Sequence, residues 1–329
     1  MKVLITGGAG FIGSTIASAC ADAGIEVVVL DDLSAGLRAF GERFAFYQGD
    51  YGDRELVRRV FAEHPEIDAV VHCAASIVVP ESMADPLAYY ANNVAKMPGF
   101  LTEVLAAGCG RVLFSSTAAM YEPGADLVVT EESPLNPLSP YAASKSMVER
   151  MLADTTVATD LRVISLRYFN PIGADPKLRT GLQLTKPSHA LGLLLSARAE
   201  GRPFTVTGTD WATRDGSGLR DYIHVWDLAL AHVAALLRFD EVTAGYEVIN
   251  LGTGTGTTVF ELVQAFSEVT GEEMPVVLAP ARPGDVIGCC TSAAKAERLL
   301  GWRAQHTVAQ GIADSLAWSA RLPALLEAV

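Results

Sequence analysis

Residues 2–13 read KVLITGGAGFIG: an apolar run, then glycines at positions 7, 10 and 13, then the start of an apolar helical pattern. A buried strand that breaks into glycine and reopens as a helix leaves little choice of fold. Gly7, Gly10 and Gly13 permit the tight turn and let backbone N–H groups approach a pyrophosphate at the positive end of the helix. The turn alone is also an ordinary strand-to-helix connection. The acid that follows narrows it: Asp31 closes the second apolar run, eighteen residues after Gly13. A carboxylate there accepts from a ribose 2′-hydroxyl and repels a 2′-phosphate, so the loop is predicted to take NAD over NADP, and Asp32 can share the role. Gly49–Asp50 ends a further strand and can meet the adenine. For Asp50 the alternative is a cap on its own loop.

The first half keeps the same rhythm. Lys2–Thr6, Glu26–Leu30, Phe44–Gln48, Asp68–His72, Arg111–Ser115 and Leu161–Leu166 are predicted strands. Ile12–Ala23, Asp53–Glu63, Pro86–Ala107 and Pro140–Ala153 are predicted helices. The alternation predicts an α/β fold, a doubly wound parallel Rossmann sheet covered on both faces. After Leu166 the rhythm breaks at a loop over Asn170–Pro187. Helices at Ser188–Glu200, Trp226–Phe239, Val259–Thr270 and Ala293–Leu300 follow, with strands at Phe204–Thr207 and Tyr246–Asn250. The expected division is an NAD-binding domain over 1–169 and a smaller α/β substrate-binding lobe over 170–329, with part of 221–256 rejoining the sheet.

Net charge is −13 over 329 residues, which argues against nucleic acid as a partner. A phosphorylated substrate would then rely on a few placed arginines. Five scattered cysteines without a C-x-x-C pair fit a reducing compartment. The first strand starts at once and no apolar run reaches membrane-span length, so the expectation is a soluble cytoplasmic protein with no membrane partner. No metal-ligand cluster is visible.

Tyr141 and Lys145 form Y-x-x-x-K, with Ser115, Ser116 and Thr117 upstream at the end of a predicted strand. A phenol is a poor base at neutral pH. A lysine one helical turn away, on the same face, and a positive nicotinamide would stabilise its phenolate. Tyr141 can then take a proton from a hydroxyl while hydride leaves the same carbon, with the Thr117 hydroxyl sharing the substrate oxygen. Lys145 can also bind the nicotinamide ribose. Alone, Y-x-x-x-K recurs by chance on helix surfaces; beside this loop it points to hydride chemistry.

These stretches, with PLAYYANNV, FSSTAAMY, SPYAASK, LRYFNPIGA, RDYIHVWDLA and NLGTG, resemble the extended short-chain dehydrogenase/reductase family, and within it the UDP-glucose (UDP-galactose) 4-epimerases, nearly end to end. The resemblance implies NAD-dependent 4-epimerisation of a UDP-hexose through a transient 4-keto sugar, with the hydride held on NADH. It gives Thr117, Tyr141 and Lys145 the catalytic roles. It gives Phe11, Ile12, Tyr51, Ala74, Ala75, Asn92, Ser115 and Tyr168 to cofactor contact. For the UDP-sugar it implies Asn170 and Arg220 at the diphosphate, Arg282 and Asp285 at phosphate and uridine ribose, and Ser188, His189, Thr207 and Tyr222 nearby. It also implies a homodimer through helices near Pro86–Ala107 and Pro140–Ala153. From the residues alone, Arg220 and Arg282 also read as surface salt bridges with Asp221 and Asp285, and His72 and His224 as satisfied core histidines.

Departures from the family pattern bear on specificity. Ile77 stands where many relatives carry a lysine near the cofactor phosphates, Glu122 where glycine is common, and Thr207 where an aromatic packs by the uracil. The loop after Gly173 is short. Cys289 falls at a position that resembles a size gate, tyrosine in hexose-restricted enzymes and small where N-acetylhexosamines are accepted; the alternative is that Cys289 only packs. A 4,6-dehydratase would need Asp-Glu after the catalytic threonine, where Ala118 and Ala119 stand. A non-catalytic NAD-binding regulator would have no need of the intact Thr/Tyr/Lys set.

Overall fold

The computed structural model describes residues 1–184, 187–282 and 285–327. At its centre is a seven-stranded parallel sheet of β1 (Lys2–Thr6), β2 (Glu26–Asp31), β3 (Ala45–Gln48), β4 (Ile67–His72), β5 (Arg111–Ser115), β6 (Arg162–Tyr168) and β7 (Tyr246–Leu251). The strand order is β7-β6-β5-β4-β1-β2-β3. Chain direction across the sheet reverses between β1 and β4, and in open α/β sheets ligands bind at the carboxyl ends of the strands beside such a switch.

Side chains alternate between the two faces. Val3 and Ile5 enter the core beneath α1 (Phe11–Asp22) and the helix Val225–Leu237, while Leu4, Val28 and Leu30 enter the opposite one. That second core is roofed by α2 (Arg54–Glu63), α3 (Met97–Ala106) and α4 (Pro140–Ala158). Burial on both faces is why the strands read as unbroken apolar runs.

Two predicted elements differ instructively. Pro86–Ala107 is three pieces, Pro86–Tyr90, a π turn over Ala91–Ala95, and α3. Pro98 has no N–H to donate back to Val94, and the wider turn absorbs the break. The strand expected to end at Leu166 continues to Tyr168, carrying Arg167 and Tyr168 to the sheet's carboxyl edge.

Beyond Tyr168, helices Ala190–Ala199 and Val259–Thr270 and a C-terminal helix over Val308–Glu327 pack around Leu194, Leu262, Phe266 and Ile312. Strand Phe204–Thr207 pairs in parallel with Val276–Ala279. Short ladders of Asn170–Ile172 with Tyr222–His224, Leu219–Arg220 with Thr257–Thr258, and Val128–Val129 with Cys290–Thr291 tie this part to the sheet edge. Among the described residues no helix is long and apolar enough to cross a membrane.

Phe100 is fully buried on α3, against Tyr51 and His72. Phe100→Ala is expected to cost about 3–5 kcal/mol of stability in urea denaturation; a loss below about 1 kcal/mol would contradict this packing.

Candidate active site

The glycine turn sits at the switch point. Gly7 has φ +71°, and a Cβ there would lie 2.6 Å from the Ala74 nitrogen just past β4. A Cβ on Gly13 would come within 2.2 Å of the Gly7 carbonyl oxygen. Both positions therefore require glycine. Gly10 caps α1 without any side-chain hydrogen bond, so the amides of Phe11, Ile12 and Gly13 face out of the turn uncapped by a side chain. An open helix N-terminus of this kind suits a pyrophosphate. Asp31 closes β2 with both oxygens anchored, Oδ2 by the Ala9 amide at 2.9 Å and Oδ1 by the Leu33 amide at 2.8 Å. Each oxygen keeps a lone pair for a hydroxyl donor. Asp32 is exposed and turned to Ser34. These features fit a dinucleotide.

On the far side of the turn, Asp50 accepts from the Gly52 amide at 2.7 Å and from Lys96 Nζ at 2.5 Å. It thus does cap its own loop. Tyr51 is buried against His72, and its hydroxyl donates to the Asn92 carbonyl. The side chain of Asn92 is shared by Lys96 and Ser76. Asn93, which the sequence reading passed over, is more deeply placed: it holds both backbone groups of Ser76 and donates to Ser144 on α4. The only sequence signal was the tandem Asn-Asn; the π turn gives each asparagine a different direction. Ala74 packs at the edge of the core beside Gly7 and is followed by Ala75. Ile77 is 54% exposed ahead of the helix Val79–Ala84.

Ser139 and Pro140 fix the start of α4, Ser139 Oγ accepting from the Ala142 amide at 3.2 Å. That start puts Tyr141 in the first turn and Lys145 one turn deeper, with Thr117 just past β5. Lys145 Nζ donates to the Ser115 carbonyl at 2.8 Å and lies 4.8 Å from the centre of the Phe114 ring. Burial pulls its pKa down to about 8, opposed by Cys73 and Glu149. Burial raises the Tyr141 phenol, and the neighbouring Thr117 hydroxyl works against that rise. The sequence expectation was that Lys145 would lower the phenol. Among protein groups the opposing contribution comes from Thr117, because the ammonium is turned to Ser115. Tyr168 and Cys73 each meet Ser115 as well, Cys73 Sγ at 3.1 Å from its Oγ. Thr117, Tyr141, Lys145, Ser115 and Tyr168 are thus brought together at one sheet edge.

Across from them, Arg220 does not pair with Asp221. Its guanidinium donates to the carbonyls of Leu219 at 2.7 Å, Ile287 at 3.1 Å and Val286 at 3.2 Å. Asp221 is buried and bound to Thr253 and the Thr291 amide. Gly288, unremarked in the sequence, makes the Arg220 position possible: φ is +92°, and a Cβ would sit 1.8 Å from the Leu219 oxygen. Arg282 pairs with Asp285 at 2.9 Å, and Thr207 lies beside Asp285. Cys289 packs with Ala118, Tyr121 and Val129, directly beside the turn that carries Thr117; burial pushes its thiol up to about 12.

Other expected contacts lie deeper or farther out. Tyr222 is packed in the core of the second lobe, and its hydroxyl has no partner among the described residues. His189 caps the helix Ala190–Ala199 through Nδ1, and burial lowers its pKa to about 4, so it is neutral. Ser188 is exposed, and Asn170 begins the strand paired with Tyr222. His72 and His224 are satisfied core histidines, bonded to Thr6 and Asp314.

The doubly wound sheet, the glycine cradle at its switch point and the Thr/Tyr/Lys edge define a nucleotide-dependent enzyme of the short-chain dehydrogenase/reductase class. The chain belongs to the NAD dependent epimerase/dehydratase family, whose pattern matches residues 3–252. It is 45% identical over 324 residues to a UDP-glucose 4-epimerase of Azospirillum brasilense, covering 98% of this chain and 92% of that protein. Its fold is similar to UDP-glucose 4-epimerase from Stenotrophomonas maltophila, solved with bound NAD and formylated UDP-arabinopyranose, with a TM-score of 0.93, 36% identity and full coverage of both chains. It is also similar to the UDP-Glc/GlcNAc 4-epimerase of Campylobacter jejuni, with a TM-score of 0.82, 36% identity and coverage of 97% and 99%.

A lysine whose folded pKa lies below its unfolded value costs stability while both states are protonated. That cost is full below pH 8 and is relieved between about 8 and the unfolded value of 10.5. Lys145→Met is therefore expected to stabilise the chain at pH 7 by about 1–3 kcal/mol, the gain shrinking above pH 8, while turnover falls. Thermal melts at pH 7 and 9.5 check this; a destabilised variant with the same loss at both pH values would contradict it.

Proposed function

We propose that this chain interconverts UDP-glucose and UDP-galactose by inverting C4 of the hexose, with NAD as a resident cofactor. The observation that carries the reading is Lys145 Nζ on the Ser115 carbonyl with Tyr141 beside Thr117, at the edge that also holds the Gly7 cradle. NAD would be held by the amides of Phe11 and Ile12, by Asp31 or Asp32 at the ribose, and by Lys145, with Asp50, Ala74, Ala75, Asn92, Ser115 and Tyr168 around it. When bound it supplies a hydride acceptor and donor, and its positive ring favours the phenolate. Tyr141 takes the proton from the C4 hydroxyl and returns it after inversion. Thr117 holds the oxygen that becomes the 4-keto group. Arg220, Arg282, Asp285 and Asn170 anchor the diphosphate and uridine so that the sugar alone turns over. Ile77, apolar and exposed, gives no charge to the phosphates, so the cofactor is held less firmly than a lysine there would hold it.

Support for a 4-epimerase over a dehydratase comes from the residues after Thr117. Ala118 and Ala119 form a short 3₁₀ turn with no acid to work at C5 or C6. Cys289 favours a second reading, that N-acetylhexosamines are accepted too, since a thiol beside Ala118 takes less room than a phenol ring. The relative from Campylobacter jejuni carries GlcNAc in its name. Residues 1–169 act as the cofactor half and 170–329 as the sugar-nucleotide half. Leu87 and Met147, exposed on helices at Pro86–Tyr90 and α4, support a homodimer formed through these helices. Five free cysteines fit a cytoplasmic setting.

Tyr141→Phe is expected to lower kcat for UDP-galactose by about 10²–10⁴ with the fold intact; near-normal turnover would end the acid/base assignment. Cys289→Tyr is expected to abolish inversion of UDP-N-acetylgalactosamine while sparing UDP-galactose, followed by NMR; equal effects on both would leave Cys289 as packing only.

A further inference from the structure

Tyr141, Lys145 and Glu149 stand at successive turns on one face of α4. The chemistry proposed above uses only the first two. Glu149 is buried, and a buried carboxylate persists only where its lone pairs are met. Oε1 accepts from Ser116 Oγ at 2.5 Å and from Arg167 Nε at 2.9 Å, and Oε2 accepts from Arg167 Nη2 at 2.5 Å. Ser116 lies between Ser115, whose carbonyl holds Lys145, and Thr117. Arg167 Nη1 then donates to the Tyr121 hydroxyl at 2.8 Å, which donates to Asn250 Oδ1 at 2.7 Å. Asn250 Nδ2 donates to Thr291 Oγ1 at 3.0 Å, and the Thr291 amide donates to Asp221. Asp221 adjoins Arg220, and Thr291 is two residues past Cys289. One buried chain of hydrogen bonds therefore runs from the acid/base helix to the part of the protein that faces it.

A buried ion pair is a weak source of stability, since an apolar pair of the same volume is often as good. A two-pronged guanidinium–carboxylate pair does fix geometry. We infer that Glu149 is a positioning residue, holding the Thr117 strand end and the Tyr141–Lys145 helix in register and, through Arg167 and Tyr121, aligning them with the Arg220–Cys289 region. The inference rests on the epimerase reading above.

Besides Glu149, the groups facing Lys145 and its neighbours are His72 and Cys73 at the end of β4, Asp31 at the end of β2, which acts on Cys73, Tyr141 on α4, Arg167 and Tyr168 on β6, and Tyr246 on β7. Glu149 is the carboxylate that acts on Lys145 itself, and it favours the ammonium. Removing its charge lets Lys145 lose its proton at lower pH, and an unpaired Arg167 pushes the same way.

The test is kcat and KM for UDP-galactose from pH 6 to 9.5 in full-length Glu149→Gln, Glu149→Asp and Tyr121→Phe, with folding checked by circular dichroism. In Glu149→Gln the alkaline limb of kcat is expected to move down by about one pH unit and kcat at pH 8 to fall about fivefold. Glu149→Asp is expected to return the limb toward the parent. Tyr121→Phe, which keeps both charges, is expected to raise KM about threefold or more with the limb unmoved. If Glu149→Gln does not fold, Glu149→Gln/Arg167→Gln removes two charges that act on Lys145 in opposite directions, so its limb is expected to stay near the parent's while kcat falls about tenfold through lost positioning, and an unchanged kcat there overturns the inference. An unmoved limb in Glu149→Gln overturns the hold on Lys145, and an unchanged KM in Tyr121→Phe overturns the link to the Arg220–Cys289 region. Tyr141→Phe is run alongside: if it turns over normally, the epimerase chemistry fails, a result distinct from failure of the Glu149 inference.

Discussion

Lys145 carries an ammonium into the protein interior and gives it one backbone partner, the Ser115 carbonyl at 2.8 Å. Placing a charge there is costly, and the drop of its pKa to about 8 expresses that cost. The surrounding structure is arranged around keeping the charge. Helix α4 is started by Ser139 and Pro140 so that Lys145 meets the end of β5, the sheet places Cys73 beside it, and Glu149 lies one turn behind. The same strand end delivers Thr117 to Tyr141. The proposed acid/base pair is thus a property of how one helix docks on one strand.

Most of the sheet was legible because burial on both faces leaves a plain mark: short runs such as VVVL with glycine or charge at their ends. Tyr246–Asn250 was readable as a returning strand for the same reason; it runs on to Leu251 and pairs with β6. Pro86–Ala107 misled because apolar periodicity continues through Pro98, and only the backbone's missing donor reveals the π turn. The strand Val276–Ala279 went unread: it is short and mostly exposed, and it exists because Phe204–Thr207 offers it an edge. The C-terminal helix, interrupted in sequence by Gly311 and Pro323, takes its place by packing Ile312 into the second lobe and Trp318 against Phe40.

In the site, what is local was readable. The glycine turn, the acid at the end of β2 and the four-residue Tyr–Lys spacing each follow from one element. What depends on distant contacts was not. Arg220 is oriented by carbonyls sixty-six and sixty-seven residues away and by the missing side chain of Gly288. Tyr121 reaches Asn250 across 129 residues. No spacing rule anticipates such partners, because they are chosen by the packing of the two halves.

In the proposed chemistry C4 is inverted by removal and return of the same hydrogen, with Tyr141 handling only the hydroxyl proton. The most direct measurement is conversion of UDP-galactose in D₂O, with the C4 position of the UDP-glucose formed read by proton NMR. C4 is expected to keep its original hydrogen through many turnovers. Deuterium appearing at C4 would mean that a carbon-bound proton exchanges with solvent, and would contradict the hydride mechanism.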